Sequence, residues 1–132
     1  MRYTLLSLGI VLLTSCQKDA PPPVPAFAGR WHGETSATLS YTALDGTYIG
    51  RTADYGPQLN LVVTADSLLF YDPRTNAKFA NSESYARQGN TLTLGSRRSA
   101  FIDELADHRL VIRYPGHPAN LPYLEYEYGF SR

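Results

Sequence analysis

The residues able to do chemistry are few and widely spaced. The chain holds one cysteine, Cys16, and three histidines, His32, His108 and His117. A single thiol excludes an intrachain disulfide and a redox pair, and it leaves no cysteine set for zinc. His108 and His117 fall in predicted turns, where solvation accounts for them. Asp103, Glu104 and Asp107 cluster near the turn that holds His108. Several carboxylate oxygens together suit calcium, but the glycine and spacing of a calcium loop are missing, and a solvated acidic turn is the simpler reading. Glu125 and Glu127 stand two apart on one strand face and read as outward polar residues. Arg97-Arg98 offers charge to an anion at a rim, or serves solubility alone. Nucleophile elbows, paired metal histidines and phosphate loops are absent. The sequence therefore predicts no catalytic residue, no metal site and no cofactor, in a protein that is not an enzyme.

Cys16 gains meaning from what precedes it. Arg2 supplies a positive charge, and a mostly apolar run extends from Leu5 to Leu13. A run of that length suits the core of a secretory signal and is too short to span a bilayer as a helix. Leu13-Thr14-Ser15-Cys16 resembles a bacterial lipobox, in which small residues let a peptidase reach the bond before the cysteine. The resemblance implies a signal peptide over residues 1–15, cleavage between Ser15 and Cys16, and a diacylglycerol on the Cys16 thiol. Each buried CH₂ of an acyl chain contributes about 0.8 kcal/mol, so two or three chains anchor stably. The expected location is the outer membrane, lipid-anchored, on its periplasmic face or at the cell surface.

Residues 16–26 read as the anchor and a tether. Gln17-Lys18-Asp19 resembles, in part, the Bacteroidetes-type signal that sends lipoproteins to the cell surface; a short polar spacer is the alternative. Ala20-Pro21-Pro22-Pro23-Val24-Pro25 predicts extended, stiff chain, rising about 3.1 Å per residue as polyproline II. Twelve Lys and Arg balance twelve Asp and Glu. With no basic stripe, nucleic acid is not an expected partner.

The elements that must position any site are strands. Ten tyrosines, five phenylalanines and one tryptophan favour sheet. A long strand is predicted over Arg30 to Tyr41, with Trp31, Gly33, Thr35, Ala37, Leu39 and Tyr41 on one face. Shorter strands follow at Thr47 to Arg51, Leu59 to Thr64, Leu68 to Tyr71, Lys78 to Arg87, Thr91 to Leu94, Ser99 to Leu105 and Arg109 to Tyr114. Gln88-Gly89-Asn90 is a hairpin signal. The last strand places Leu124, Tyr126, Tyr128 and Phe130 on one face and Glu125 and Glu127 on the other. Eight or nine short strands without helical periodicity predict an all-β domain over residues 27–132, either a closed antiparallel up-and-down barrel of about eight strands or a sandwich.

The opening Gly29-Arg30-Trp31 is similar to the glycine-x-tryptophan start of lipocalins. The stretches Tyr85 to Leu94, Phe101 to Leu105 and Arg109 to Ile112, then a tyrosine-rich strand ending at Arg132, resemble in their order the lipocalin-like domains of bacterial lipoproteins. The resemblance implies the closed barrel and a calyx for a small apolar ligand. It also maps a late arginine over the opening tryptophan, as the pair Arg132 and Trp31. First and last strands of a closed eight-stranded antiparallel barrel are neighbours, which brings those two positions to one end.

Two functions follow as expectations. In the first, inward residues such as Leu61, Leu94, Ile112, Tyr126 and Tyr128 close around a small apolar ligand. In the second, those side chains fill the barrel, and the protein acts by contacting another envelope protein.

Overall fold

The computed structural model describes residues 26–42, 46–54, 58–116 and 123–132. The signal, Cys16, most of the tether and His117 lie outside them.

The described residues form nine strands and no helix. They are β1 (Gly29–Tyr41), β2 (Tyr48–Ala53), β3 (Asn60–Val63), β4 (Ser67–Tyr71), β5 (Glu83–Gln88), β6 (Thr91–Leu94), β7 (Ser99–Leu105), β8 (Arg109–Pro115) and β9 (Tyr123–Ser131). Every pairing is antiparallel. β3 to β9 pair in chain order, and β1 pairs with both β3 and β9, which closes an eight-stranded barrel. The fold is thus an all-β, closed antiparallel barrel. Closure removes the edges that short strands would otherwise expose.

β1 is long because it serves two neighbours on one side. Gly29, Arg30 and Trp31 pair with β3, and Ala37 to Tyr41 pair with β2. Between these segments a Cβ on Gly33 would collide with the Leu59 carbonyl oxygen. Glycine is what lets the chain entering β3 pass so close.

The faces of β1 differ from simple alternation. Gly33 stands opposite Phe130, but Thr35, not Glu34, stands opposite Gly129. The extra residue makes a bulge and reverses the faces beyond it. Ser36, Thr38 and Ser40 therefore share the inner face of Tyr128, Tyr126 and Leu124, while Ala37, Leu39 and Tyr41 point outward with Glu127, Glu125 and Tyr123. The bulge sits where it does because Gly129 has no side chain to hold the register, and a Cβ there would collide with the Thr35 hydroxyl.

The core fills one end and the middle of the barrel. Trp31, Leu61, Val63, Leu68, Phe70, Leu92, Leu94, Ala100, Ile102, Leu110, Ile112 and Phe130 are buried together, with Phe27 beneath them from before β1. The predicted weak strand over Lys78 to Arg87 shortens to Glu83–Gln88, with a single bridge from Lys78 to Tyr71.

Candidate functional site

The two ends of the barrel differ. At the closed end the Arg132 guanidinium lies 4.2 Å from the centre of the Trp31 ring. Arg132 Nε donates to the Asp107 carbonyl at 2.7 Å, and Trp31 Nε1 donates to the Phe27 carbonyl at 3.0 Å. Phe27 meets the Tyr85 ring edge-on at 5.6 Å, under the Arg87 guanidinium. His108 sits outside this end, its Nδ1 3.1 Å from the Arg132 carbonyl oxygen.

At the other end a cavity of about 180 Å³ opens between the last two strands and the β4–β5 connection. Leu59, Phe70, Tyr114, Tyr126 and Tyr128 form its apolar and aromatic walls. Asn81, Glu83 and Arg98 supply its polar rim. The position follows from the bulge: Ser36 and Thr38 are the β1 neighbours of Tyr128 and Tyr126, so β1 offers nothing bulky to fill this end. The Tyr114 and Tyr128 rings meet edge to face at 5.7 Å. Tyr126, in register with Tyr114, stays 41% exposed at the mouth.

The rim is charge-balanced. Arg98 Nη2 pairs with Glu83 Oε1 at 2.9 Å, and the Ser96 hydroxyl donates to Glu83 Oε2 at 2.8 Å. The Tyr114 hydroxyl oxygen is buried and has no hydrogen-bond partner among the described residues. Burial above all, then Tyr128 and Glu83, pushes the Tyr114 phenol far above the ordinary tyrosine value, so it keeps its proton at any physiological pH.

The structure divides the sequence-derived ligand residues. Tyr126 and Tyr128 line the cavity. Leu61, Leu94 and Ile112 are buried within the packed core and do not line it. Tyr114, Leu59, Phe70 and Glu83 line it without having been singled out. The available signal for Tyr114 was its place as the outermost member of the Leu110, Ile112, Tyr114 alternation. Arg98 is at a rim, with Glu83 already against it.

The acidic residues are engaged on the outside. Asp103 pairs with Arg113 at 2.7 Å and Glu104 with Arg109 at 2.8 Å. Glu125 is outward, yet only 6% exposed. It accepts from Arg113 at 3.0 Å, from the Tyr41 hydroxyl at 2.8 Å and from the Tyr123 hydroxyl at 3.2 Å. No group of His, Cys, Asp or Glu among the described residues is arranged to hold a metal ion.

No protein-family model matches the chain, and no curated protein sequence matches it. Among solved structures it is similar to the bovine lipocalin allergen Bos d 2, at 15% identity and a TM-score of 0.46, over 79% of this chain and 71% of that one. The barrel assignment stands on the strand pairing of this chain alone.

Proposed function

We propose that this protein is a lipid-anchored envelope protein that binds one small, largely apolar ligand at the open mouth of its barrel. The carrying observation is the tyrosine-walled cavity opposite the sealed end. Its volume is about 180 Å³. An apolar cavity of about 150 Å³ holds benzene, whereas drug-sized ligands occupy roughly 300–1,000 Å³. The part of a ligand held inside the walls is therefore of about single-ring size. The aromatic walls supply contact area at low cost in side-chain entropy. The Leu13-Thr14-Ser15-Cys16 stretch supports the lipid anchor, and the proline-rich tether would hold the mouth clear of the membrane.

Native mass spectrometry of the purified protein tests the binding reading. A retained small molecule of single-ring mass is the expected result, lost when Tyr128→Ala opens the wall. A protein that never retains or takes up such a compound acts instead as a filled barrel contacting a protein partner. The anchor is tested separately: Cys16→Ser should abolish labelling by a fatty-acid analogue, and continued labelling would remove the lipid from the proposal.

A further inference from the structure

Closure of the barrel leaves β2 with one open side. It pairs with β1 alone among the described strands. Which of its backbone groups are open follows from the register. The Asp54 amide donates to the Ser36 carbonyl at 2.9 Å, and alternate residues of an antiparallel strand aim both backbone groups at the same neighbour. Asp54, Thr52 and Gly50 therefore face β1, while the N–H and C=O of Arg51 and Ala53 face away from it. Free edges are ordinarily blunted by a charged side chain. The one charge on β2, Arg51, is instead drawn back across β1 to Glu127 on β9, at 2.8 Å. Beside it a bulge sets Gly50 opposite Ser40 and Tyr48 opposite Tyr41, so Ile49 has no opposite residue and is 62% exposed. Tyr48, 53% exposed, meets the Tyr41 ring edge-on at 5.7 Å, and Tyr41 meets Tyr123 at 5.5 Å.

We propose that β2 is a docking edge for an extended segment of another protein, which adds to the sheet as a strand and sets an apolar side chain against Ile49 and Tyr48. Donors and acceptors repeating at strand spacing are matched by another backbone, and by no lipid tail or small aromatic compound. The exposed apolar pair supplies the side-chain preference. A second copy of this chain fits the same edge poorly. A two-fold pairing of β2 with β2 centred on Arg51 opposes two arginines, and like charges directly opposite destabilise a sheet. One centred nearer Ala53 carries Ile49 and Tyr48 past the end of the partner strand. One centred on Gly50 runs each Arg51 into the other copy's bulge at Ile49. This edge is separate from the tyrosine-walled cavity, and the two readings stand or fall independently.

A displayed library of random decapeptides, selected against the detergent-solubilised protein, tests the edge. Selected peptides are measured on the wild type, Ala53→Pro, Ile49→Lys and Tyr128→Ala. Proline at 53 removes an outward N–H and none of the bonds from β2 to β1. In the free wild type the amides of Arg51 and Ala53 should exchange with solvent quickly. Bound peptide should slow both. Ala53→Pro and Ile49→Lys should each weaken binding by about tenfold or more, the range of one lost hydrogen bond or apolar contact, and Tyr128→Ala should leave it unchanged. Where Ala53→Pro lowers the unfolding midpoint, Ile49→Lys and the wild-type amide exchange decide alone. Peptides that leave the two amides exchanging as before would overturn strand addition. Peptides that respond to Tyr128→Ala alone occupy the cavity, which removes the docking edge and keeps the ligand site. Self-association of the wild type that Ala53→Pro abolishes would make the occupant a second copy and the proposed partner wrong. A library that yields no binder would remove the docking edge.

Discussion

Arg132 covers Trp31 across the seam between β9 and β1, with the guanidinium carbon 4.2 Å from the ring centre. The arginine is held from the other side by the Asp107 carbonyl at 2.7 Å. A guanidinium over an indole contributes about 0.5–2 kcal/mol, more as the site dries. Arg132→Ala is expected to lower stability by about 1 kcal/mol and to shift the emission of Trp31 to the red, as water reaches a ring that is now fully buried. Arg132→Lys should recover part of the stability, since the charge stays while the planar stacking is lost. Urea unfolding followed by tryptophan fluorescence reads both quantities on the chain's single tryptophan. An unchanged emission in Arg132→Ala would show the contact absent in solution.

The crossing of β1 by the chain entering β3 predicts an asymmetry between two glycines of neighbouring strands. A Cβ at Gly33 meets backbone atoms of Leu59, which no rotamer change can clear, while a Cβ at Gly50 in β2 meets nothing. Gly33→Ala should cost about 3 kcal/mol, the upper range for forced overpacking. Gly50→Ala should be neutral or raise stability by a few tenths of a kcal/mol, as glycine weakens a strand interior. Chemical denaturation of the two variants side by side checks the difference. Equal midpoints would mean that the strands separate at this crossing.

The sequence displays some of this architecture and hides the rest for definite reasons. β9 was legible because Leu124, Tyr126, Tyr128 and Phe130 alternate without interruption with Glu125 and Glu127, and the strand carries that pattern unbroken. β1 was legible in its extent, predicted from Arg30 to Tyr41, but not in its faces, because its bulge depends on Gly129 across the seam and a local pattern cannot contain a neighbour's missing side chain. The same step decides where the cavity lies. Leu61, Leu94 and Ile112 look as ligand-ready as Tyr128 when read along their own strands. Only the register shows that Trp31 stands beside Leu61, Tyr85 beside Leu94 and Ile102 beside Ile112, while serine and threonine stand beside Tyr128 and Tyr126. Glu125 reads as a solvated carboxylate because its three donors come from Tyr41, Arg113 and Tyr123, two of them on other strands.

That outer cluster makes a prediction of its own. Arg113 joins Asp103 on β7 to Glu125 on β9, at 2.7 and 3.0 Å. Arg113→Ala would leave the Glu125 carboxylate buried with tyrosine hydroxyls alone. Breaking a buried pair from one side costs about 3–5 kcal/mol. The partial exposure of Arg113 places the expected loss at the lower end, about 3 kcal/mol. Arg109→Ala, which breaks the exposed pair with Glu104, should cost less than about 1 kcal/mol. Thermal unfolding of both variants at low and high salt distinguishes them: salt should erase the Arg109 effect and leave most of the Arg113 effect.

Alkaline pH should loosen the same face. Burial, then the hydrogen bond to Glu125, pushes Tyr41 up to about 12, against about 10 for an unfolded tyrosine. The folded chain thus holds a proton that the unfolded chain releases. Its contribution is whole below about pH 10 and is lost as the pH climbs towards about 12. Unfolding midpoints measured between about pH 9 and about pH 12 should fall with pH. The fall should be shallower in Tyr41→Phe, although that variant starts from a lower stability. An identical slope in the two proteins would remove Tyr41 from the transition.

The Tyr114 hydroxyl weighs against stability. It is buried with no hydrogen-bond partner among the described residues, and a buried unsatisfied hydroxyl costs about 1–3 kcal/mol. Tyr114→Phe removes that atom and keeps the ring against Tyr128, whose centre lies 5.7 Å away. The variant should therefore be more stable than the wild type without ligand, by about 1 kcal/mol. Most substitutions of a buried residue move stability the other way, so the sign is diagnostic. Urea denaturation of the two chains side by side measures the difference. A variant less stable than the wild type would show that the hydroxyl has a partner in the folded protein.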